Sequence, residues 1–299
     1  WGWRSVFVIL GAVSAVVVVL SLFVLSDVVK REGSRERFDV PSGLLYTLGF
    51  CGIMLGTTVM ESDAAFDPVS LATLAGGALA LFVFARRQAR IEQSLLKLSC
   101  FRNRTFAIAT VLVMMSQMAF MVGSIMVPLF VQDVQGGSAT VSGLTILPGA
   151  VLLGFLNPVT GRLLDRYGPR PLVAVGCAVL AAGTLAFAAC DAPEWAITVL
   201  YGVRTVGVAC LMMPMTAHAC AALSLEDIAQ GTAIITSFRQ IFGALSSSAL
   251  ITVMALASSN ELGIDVGGFA LSFEVQAAII VVGFVVGMAF LPRPQRKTR

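Results

Sequence analysis

The chain has 299 residues, 57% of them hydrophobic and only 12% charged, with a mean hydropathy of +0.89 and a formal net charge of +3. A water-soluble domain carries about 25% charged residues, so this composition excludes a soluble enzyme and leaves no basic surface for a nucleic-acid partner. Six cysteines, Cys51, Cys100, Cys177, Cys190, Cys210 and Cys220, are scattered with no C-x-x-C pair, the pattern of free packing residues and not of a disulfide or metal framework. No metal or cofactor is expected.

An α-helix needs about 20 apolar residues to cross the hydrocarbon core of a bilayer. Nine segments meet that need: 5–26, 43–60, 69–85, 106–131, 141–160, 171–190, 195–217, 231–257 and 272–291. The fold class is therefore all-α, a polytopic integral membrane protein. Trp1-Gly2-Trp3-Arg4 precedes the first segment without an initiating Met or the basic region of a signal peptide, in the manner of an aromatic anchor entering the membrane from outside. An odd number of spans with an external start predicts a partial chain that lacks upstream helices.

Basic residues fall on alternate connections. Lys30, Arg31, Arg35 and Arg37 follow the first segment; Arg86, Arg87, Arg90, Lys97, Arg102 and Arg104 follow the third; Arg162, Arg166 and Arg170 follow the fifth; and Arg293, Arg296, Lys297 and Arg299 close the chain. The intervening connections around Asp63, Asp133, Asp191 and Glu261 contain no Lys or Arg. By the positive-inside rule the basic side, with the C-terminus, is cytoplasmic. Residues 223–231 belong to that side yet carry only Glu226 and Asp227.

Between the fifth and sixth segments the chain reads Gly161-Arg162-Leu163-Leu164-Asp165-Arg166-Tyr167-Gly168-Pro169-Arg170. It is predicted as a tight hairpin loop in which Gly161 and Gly168 permit the turn and Asp165 pairs with a guanidinium or caps a helix. Two arginines, Arg204 and Arg239, lie inside predicted spans, where a charge costs ~2.5–3.5 kcal/mol unless paired or hydrated. Arg204 is expected to face the bundle interior or a wet cavity, and Gln240 beside Arg239 can hydrogen-bond across helices. No carboxylate lies deep in a predicted span, with Glu274 placed near an outer edge, and His218 is read as a packing residue. Met114, Met115, Met118, Met121, Met212, Met213 and Met215 suit either apolar packing or a surface that repacks around varied molecules. Pro128, Pro148, Pro158 and Pro214 permit bends, and Gly243, Ala244, Ser247 and Ser248 permit close helix contact.

These motifs, in this order, resemble the major facilitator superfamily, and in particular its fourteen-helix drug:proton antiporter branch. The resemblance rests on the G-x-L-x-D-R-x-G-x-R spelling from Gly161 to Arg170, Pro128-Leu129-Phe130-Val131-Gln132, Ser142-Gly143-Leu144 with Leu147-Pro148-Gly149, Arg204-Thr205-Val206-Gly207, and Arg239-Gln240-Ile241-Phe242-Gly243-Ala244. It implies that residues 1–26 are the last helix of an N-terminal half and 27–104 an inserted helix pair with cytoplasmic linkers. Residues 105–291 would be the six-helix C-terminal half, and 292–299 a basic cytoplasmic tail. It also implies that Gly161, Asp165, Arg166, Gly168 and Arg170 form a cytoplasmic gate loop that latches the outward-facing state. Arg204, Arg239 and Gln240 would be intramembrane polar residues of transport, with Gln117, Asn157 and Met213 on the substrate cavity. The activity implied is alternating-access export of amphipathic or cationic small molecules across the cell inner membrane, coupled to protons and completed by a missing N-terminal half.

Other classes find less support in the residues. A membrane enzyme needs clustered acidic metal ligands or a nucleophile with its base, which neither Asp165 nor His218 supplies. A channel calls for a repeated filter loop or a pore ring. A membrane subunit of an ATP-driven transporter would have to take its ATP chemistry from a partner, since the sequence holds no G-x-x-x-x-G-K-[ST] loop. A non-transporting accessory membrane protein is the other alternative.

Overall fold

The computed structural model describes residues 4–24, 39–62, 68–88, 90–91, 97–188, 193–257 and 266–290. Among them nine helices are long and apolar enough to cross a membrane: α1 (Arg4–Val24), α2 (Val40–Ser62), α3 (Pro68–Gln88), α4 (Arg104–Leu129), α5 (Ala139–Tyr167), α6 (Pro169–Ala188), α7 (Glu194–Ala221), α8 (Ile228–Ala257) and α9 (Val266–Phe290). The Cys190 position and the basic tail from Arg293 lie outside the described residues. Residues up to Phe38 form one unit and those from Asp39 onward another. Within the first, α1 is apolar around its whole circumference, as suits a helix surrounded by lipid or by other apolar helices.

In the second unit α4 is the central post, packing against α5, α7, α8 and α9, while α6 joins α7 and α9. Two apolar clusters fill the bundle. One, toward the basic end, includes Phe106, Leu112, Val173, Leu180, Leu211, Met215, Ile234 and Ile280; the other includes Val122, Met126, Ile197, Tyr201, Leu250, Phe269 and Phe273. Lipid tails are as apolar as leucine, so close packing and interhelical hydrogen bonds must hold such helices together. Glycines supply the closeness. A Cβ at Gly207 would stand 2.7 Å from the Leu180 backbone nitrogen, and one at Gly77 2.6 Å from that of Ile53. The second contact locks α2 and α3 into an antiparallel pair, which docks on α8 through Tyr46 Oη donating to Ser237 Oγ (2.8 Å) and Ser248 Oγ to the Thr57 carbonyl (3.4 Å).

Polar capping sets several ends. Asn103 opens α4 by accepting from the amides of Thr105 and Phe106, and Ser138 opens α5 by accepting from Val141, each satisfying a donor that the first turn leaves free. After Pro128 the α4 spiral widens into a π-helical turn over Phe130–Val134, as happens where proline removes a ladder hydrogen bond.

Two expectations about boundaries change. The segment from Gly161 to Tyr167 is not a loop: α5 continues to Tyr167, and only Gly168, at φ +79°, separates it from α6. Gly161 is thus an ordinary helical residue with open space where a side chain would stand, because a helix can extend past the hydrocarbon edge on polar residues that water solvates. Similarly, α9 begins at Val266 and not near residue 272, which sets Glu274 eight residues, about 12 Å, inside its helix. It is exposed on the outer face of α9. Among the described residues it is the one carboxylate more than three positions from a helix end.

Candidate functional site

Arg204 lies ten residues into α7, about 15 Å along its axis, and is only 2% exposed. Its guanidinium reaches three other helices. Nε donates to Thr184 Oγ1 on α6 (3.2 Å), while Nη2 donates to the Ala119 carbonyl on α4 and to Gln276 Oε1 on α9 (2.6 Å). Its Cζ also stands 5.9 Å from the Phe273 ring centroid, within range of a cation–π contact. The Thr184 hydroxyl donates in turn to the Leu180 carbonyl at 2.7 Å, so its lone pair is oriented toward the arginine. Burying a charge costs several kcal/mol, and such a charge persists only when hydrogen bonds replace its water. Here neutral acceptors do so, at about 1.5–3 kcal/mol for each bond to a charged group.

Two glycines make the room. A Cβ at Gly123 on α4 would fall 1.6 Å from Arg204 Nη1, and one at Gly183 on α6 3.3 Å from the Arg204 backbone. The sequence expectation that Arg204 faces the bundle interior holds. Its four-helix clamp was not legible, because Gly123, Thr184 and Gln276 belong to no single motif and carry no periodic signal.

The other intramembrane polar residues gather along α8 and its neighbours. Gln117 on α4 is 3% exposed and packs on Gly243 of α8, whose Cβ position lies 3.3 Å from Gln117 Cγ and 3.1 Å from Met121 Cγ. Arg239 is one turn before Gly243 and half-buried. Gln117 Oε1, Arg239 Nε and Thr110 Oγ1 are all buried without a hydrogen-bond partner among the described residues. Gln240 projects instead into a groove between α2 and α8 with Tyr46, Thr236 and Ser237. Asn157 on α5 is half-buried with an unpartnered Oδ1, and Met213 on α7 is 47% exposed. In the parallel register of α5 and α7, Gly149 meets Tyr201 and Thr205, and eight residues further on Asn157 comes level with Met213. Gln117, Arg239, Gln240, Asn157 and Met213 therefore do not converge on one point. Of the other methionines, Met114 and Met215 are core residues, and Met115 fills the space over Gly283.

At the basic end of the bundle Asp165 and Arg166 are exposed on the last turns of α5, and Asp165 makes no ion pair among the described residues. The Arg166 guanidinium lies over the Tyr167 ring, 5.3 Å from its centroid. Arg170 donates to the Met288 carbonyl near the end of α9 at 3.3 Å, where a cation suits the negative end of the helix dipole. The acidic connection before α8 is also explained. Asp227 pairs with Lys97 at 2.9 Å, and the same junction is held by Asn103 Nδ2 donating to the Ala222 carbonyl at 2.7 Å. The Lys97 ammonium, then the Ser224 hydroxyl, hold the Asp227 carboxyl below its ordinary value, and Asp227 holds Lys97 above its own.

Comparison with known proteins places this geometry. A model of the Major Facilitator Superfamily matches residues 1–247. The chain is 31% identical over 305 residues to YcnB of Bacillus subtilis, an uncharacterized MFS-type transporter, covering 99% of this chain and 64% of that protein. It is 33% identical over 224 residues to the lincomycin resistance protein LmrB of Listeria innocua, covering 74% of this chain and 48% of that protein. The chain thus spans about half to two thirds of the length of these relatives. The nucleoside transporter NupG shares the fold at a TM-score of 0.51 and 17% identity, over 81% of this chain and 65% of that structure.

Proposed function

The chain belongs to the major facilitator superfamily, and from that premise we propose that its protein is a secondary active exporter of amphipathic or cationic small molecules, driven by proton entry. The observation that carries the reading is the α4–α8 seam, where Gln117 Oε1 and Arg239 Nε are buried inside spans without partners among the described residues. Polar groups at membrane depth need water or a polar ligand, and a transport path supplies both. The resemblance to a lincomycin resistance protein supports a small-molecule substrate and the outward direction.

In this reading residues 1–26 close an N-terminal half, 27–104 are an inserted pair with its linkers, and 105–291 are the C-terminal half that rocks against the other. The basic ends and the 292–299 tail face the cytoplasm across the inner membrane. Gly161, Asp165, Arg166, Gly168 and Arg170 form the cytoplasmic latch, with Asp165 free to engage a basic residue of the other half in one state. Met213 and Asn157 border the substrate path with Gln117, Arg239 and Gln240. Arg204 serves by holding α4, α6, α7 and α9 as one rigid body.

The test is substrate accumulation in cells that express the intact protein. Accumulation that falls on expression and is restored by a protonophore supports the reading; accumulation that depends on ATP without a proton gradient would assign it to an ATP-driven system.

A further inference from the structure

Where α2 and α3 meet at their basic end they leave an open cleft of about 430 Å³, lined by Leu45, Val83, Ile91 and three arginines, Arg86, Arg87 and Arg90. We infer that this cleft is a binding site for one anionic phospholipid, its phosphodiester held by Arg86 and Arg90 and an acyl chain laid against Leu45 and Val83.

Arg87 organises the site and is not itself free for a ligand charge. Its Nε donates to Ser42 Oγ (3.1 Å) and to Asp39 Oδ2 (3.3 Å), and its Nη2 to Asp39 Oδ1 (3.2 Å). The Ser42 hydroxyl completes the pair by donating to Asp39. One carboxylate therefore neutralises one guanidinium, and among the described residues the cleft keeps two positive charges. Arg86 and Arg90 are exposed and make no side-chain hydrogen bond among the described residues. The Arg86 guanidinium leans over the Phe82 ring, 5.8 Å from its centroid, which holds it at the cleft edge and leaves its donors open.

The occupant follows from the walls. Guanidinium groups match phosphate oxygens in geometry as well as charge. Val83 lies one turn deeper than Arg86 and Arg87, and the α2–α3 register puts Leu45 level with Ala85, so a soluble phosphate on the arginines would leave these apolar side chains uncovered while a lipid covers both parts. A zwitterionic headgroup brings its own ammonium and gains less from two unpaired arginines than a net anionic one. Basic pockets between membrane helices bind headgroups by this combination.

Native mass spectrometry of the intact protein, released from mixed micelles of phosphatidylglycerol and phosphatidylcholine, tests it. The inference expects one phosphatidylglycerol retained in preference to phosphatidylcholine, with affinity weakened about tenfold or more in R86Q/R90Q and unchanged in R102Q, which alters a basic residue outside the cleft. Equal retention by wild type and R86Q/R90Q overturns it. Displacement by millimolar inorganic phosphate also overturns it, since the ligand would then be a free anion. Should R86Q/R90Q fail to fold, a photoreactive phosphatidylglycerol on the wild-type protein decides: labelling concentrated between Val83 and Ile91 supports the site, and labelling spread evenly over the helices refutes it.

Discussion

Arg204 on α7 donates to Gln276 on α9 at 2.6 Å, and neither residue is more than 2% exposed. This contact, with those to Thr184 and Ala119, makes one side chain tie three other helices to its own. Replacing Arg204 with Ala should cost about 2–5 kcal/mol of stability, from the cavity left and the stranded acceptors, and should lower the thermal transition of the purified protein far more than the same change at exposed Arg102. The Gly123 contact gives the decisive cycle. Gly123→Ala should destabilise strongly beside Arg204, whose Nη1 occupies the space, yet be close to neutral in an Arg204→Ala background. Additive losses would show that the guanidinium is not held where the structure places it.

Gly161 and Gly168 look alike in the sequence and should behave oppositely. Gly168 holds φ at +79° with ψ at 177°, a region essentially reserved for glycine, so Gly168→Ala should cost ~1–3 kcal/mol. Gly161 is helical with open space around it, so Gly161→Ala should be neutral or stabilise by ~0.5–1 kcal/mol. Thermal unfolding of the two variants in one detergent checks both signs.

The Lys97–Asp227 pair makes stability depend on pH in a defined direction. Asp227 is depressed below its ordinary 3.8, so its contribution is present above that value and is lost as pH falls through the lower folded value. Lys97 is raised above 10.5, so its contribution is present below that value and is lost as pH rises beyond it. Asp227→Asn should therefore lower the melting temperature slightly at pH 7. The difference from wild type should close as both are acidified well below pH 3.8. A gap that persists there would assign the effect to the Ser224 and Asp227 hydrogen bonds and not to charge.

Asp165 is exposed and unpaired among the described residues, so Asp165→Asn should leave membrane insertion and melting temperature unchanged. If it serves as a latch, the same variant slows transport severalfold. Unchanged flux would remove it from the transport cycle.

The sequence made the nine spans legible because apolar length is a local property that lipid enforces directly. Boundaries were less legible: α5 passes through Gly161 to Tyr167, since a helix does not have to stop where its apolar stretch does. Arg204 was recognisable as an expensive intramembrane charge, but its acceptors were not, because Ala119 contributes only a backbone carbonyl and Gln276 lies 72 residues away. The start of α9 was less legible for a related reason, since it begins with Val266-Gly267-Gly268, residues of low helix signal that packing nevertheless draws into the helix. Likewise, the acidic residues before α8 make sense only beside Lys97, which approaches from another connection.

The central claim is proton-driven export, and the most direct measurement places the intact protein in sealed vesicles loaded with a pH-sensitive dye. With an imposed proton gradient and no ATP, adding an amphipathic or cationic compound that the expressing cells export should accelerate proton movement and concentrate the compound against its own gradient. Accumulation that proceeds equally with the gradient collapsed, or a gradient indifferent to every compound exported by the cells, would contradict it.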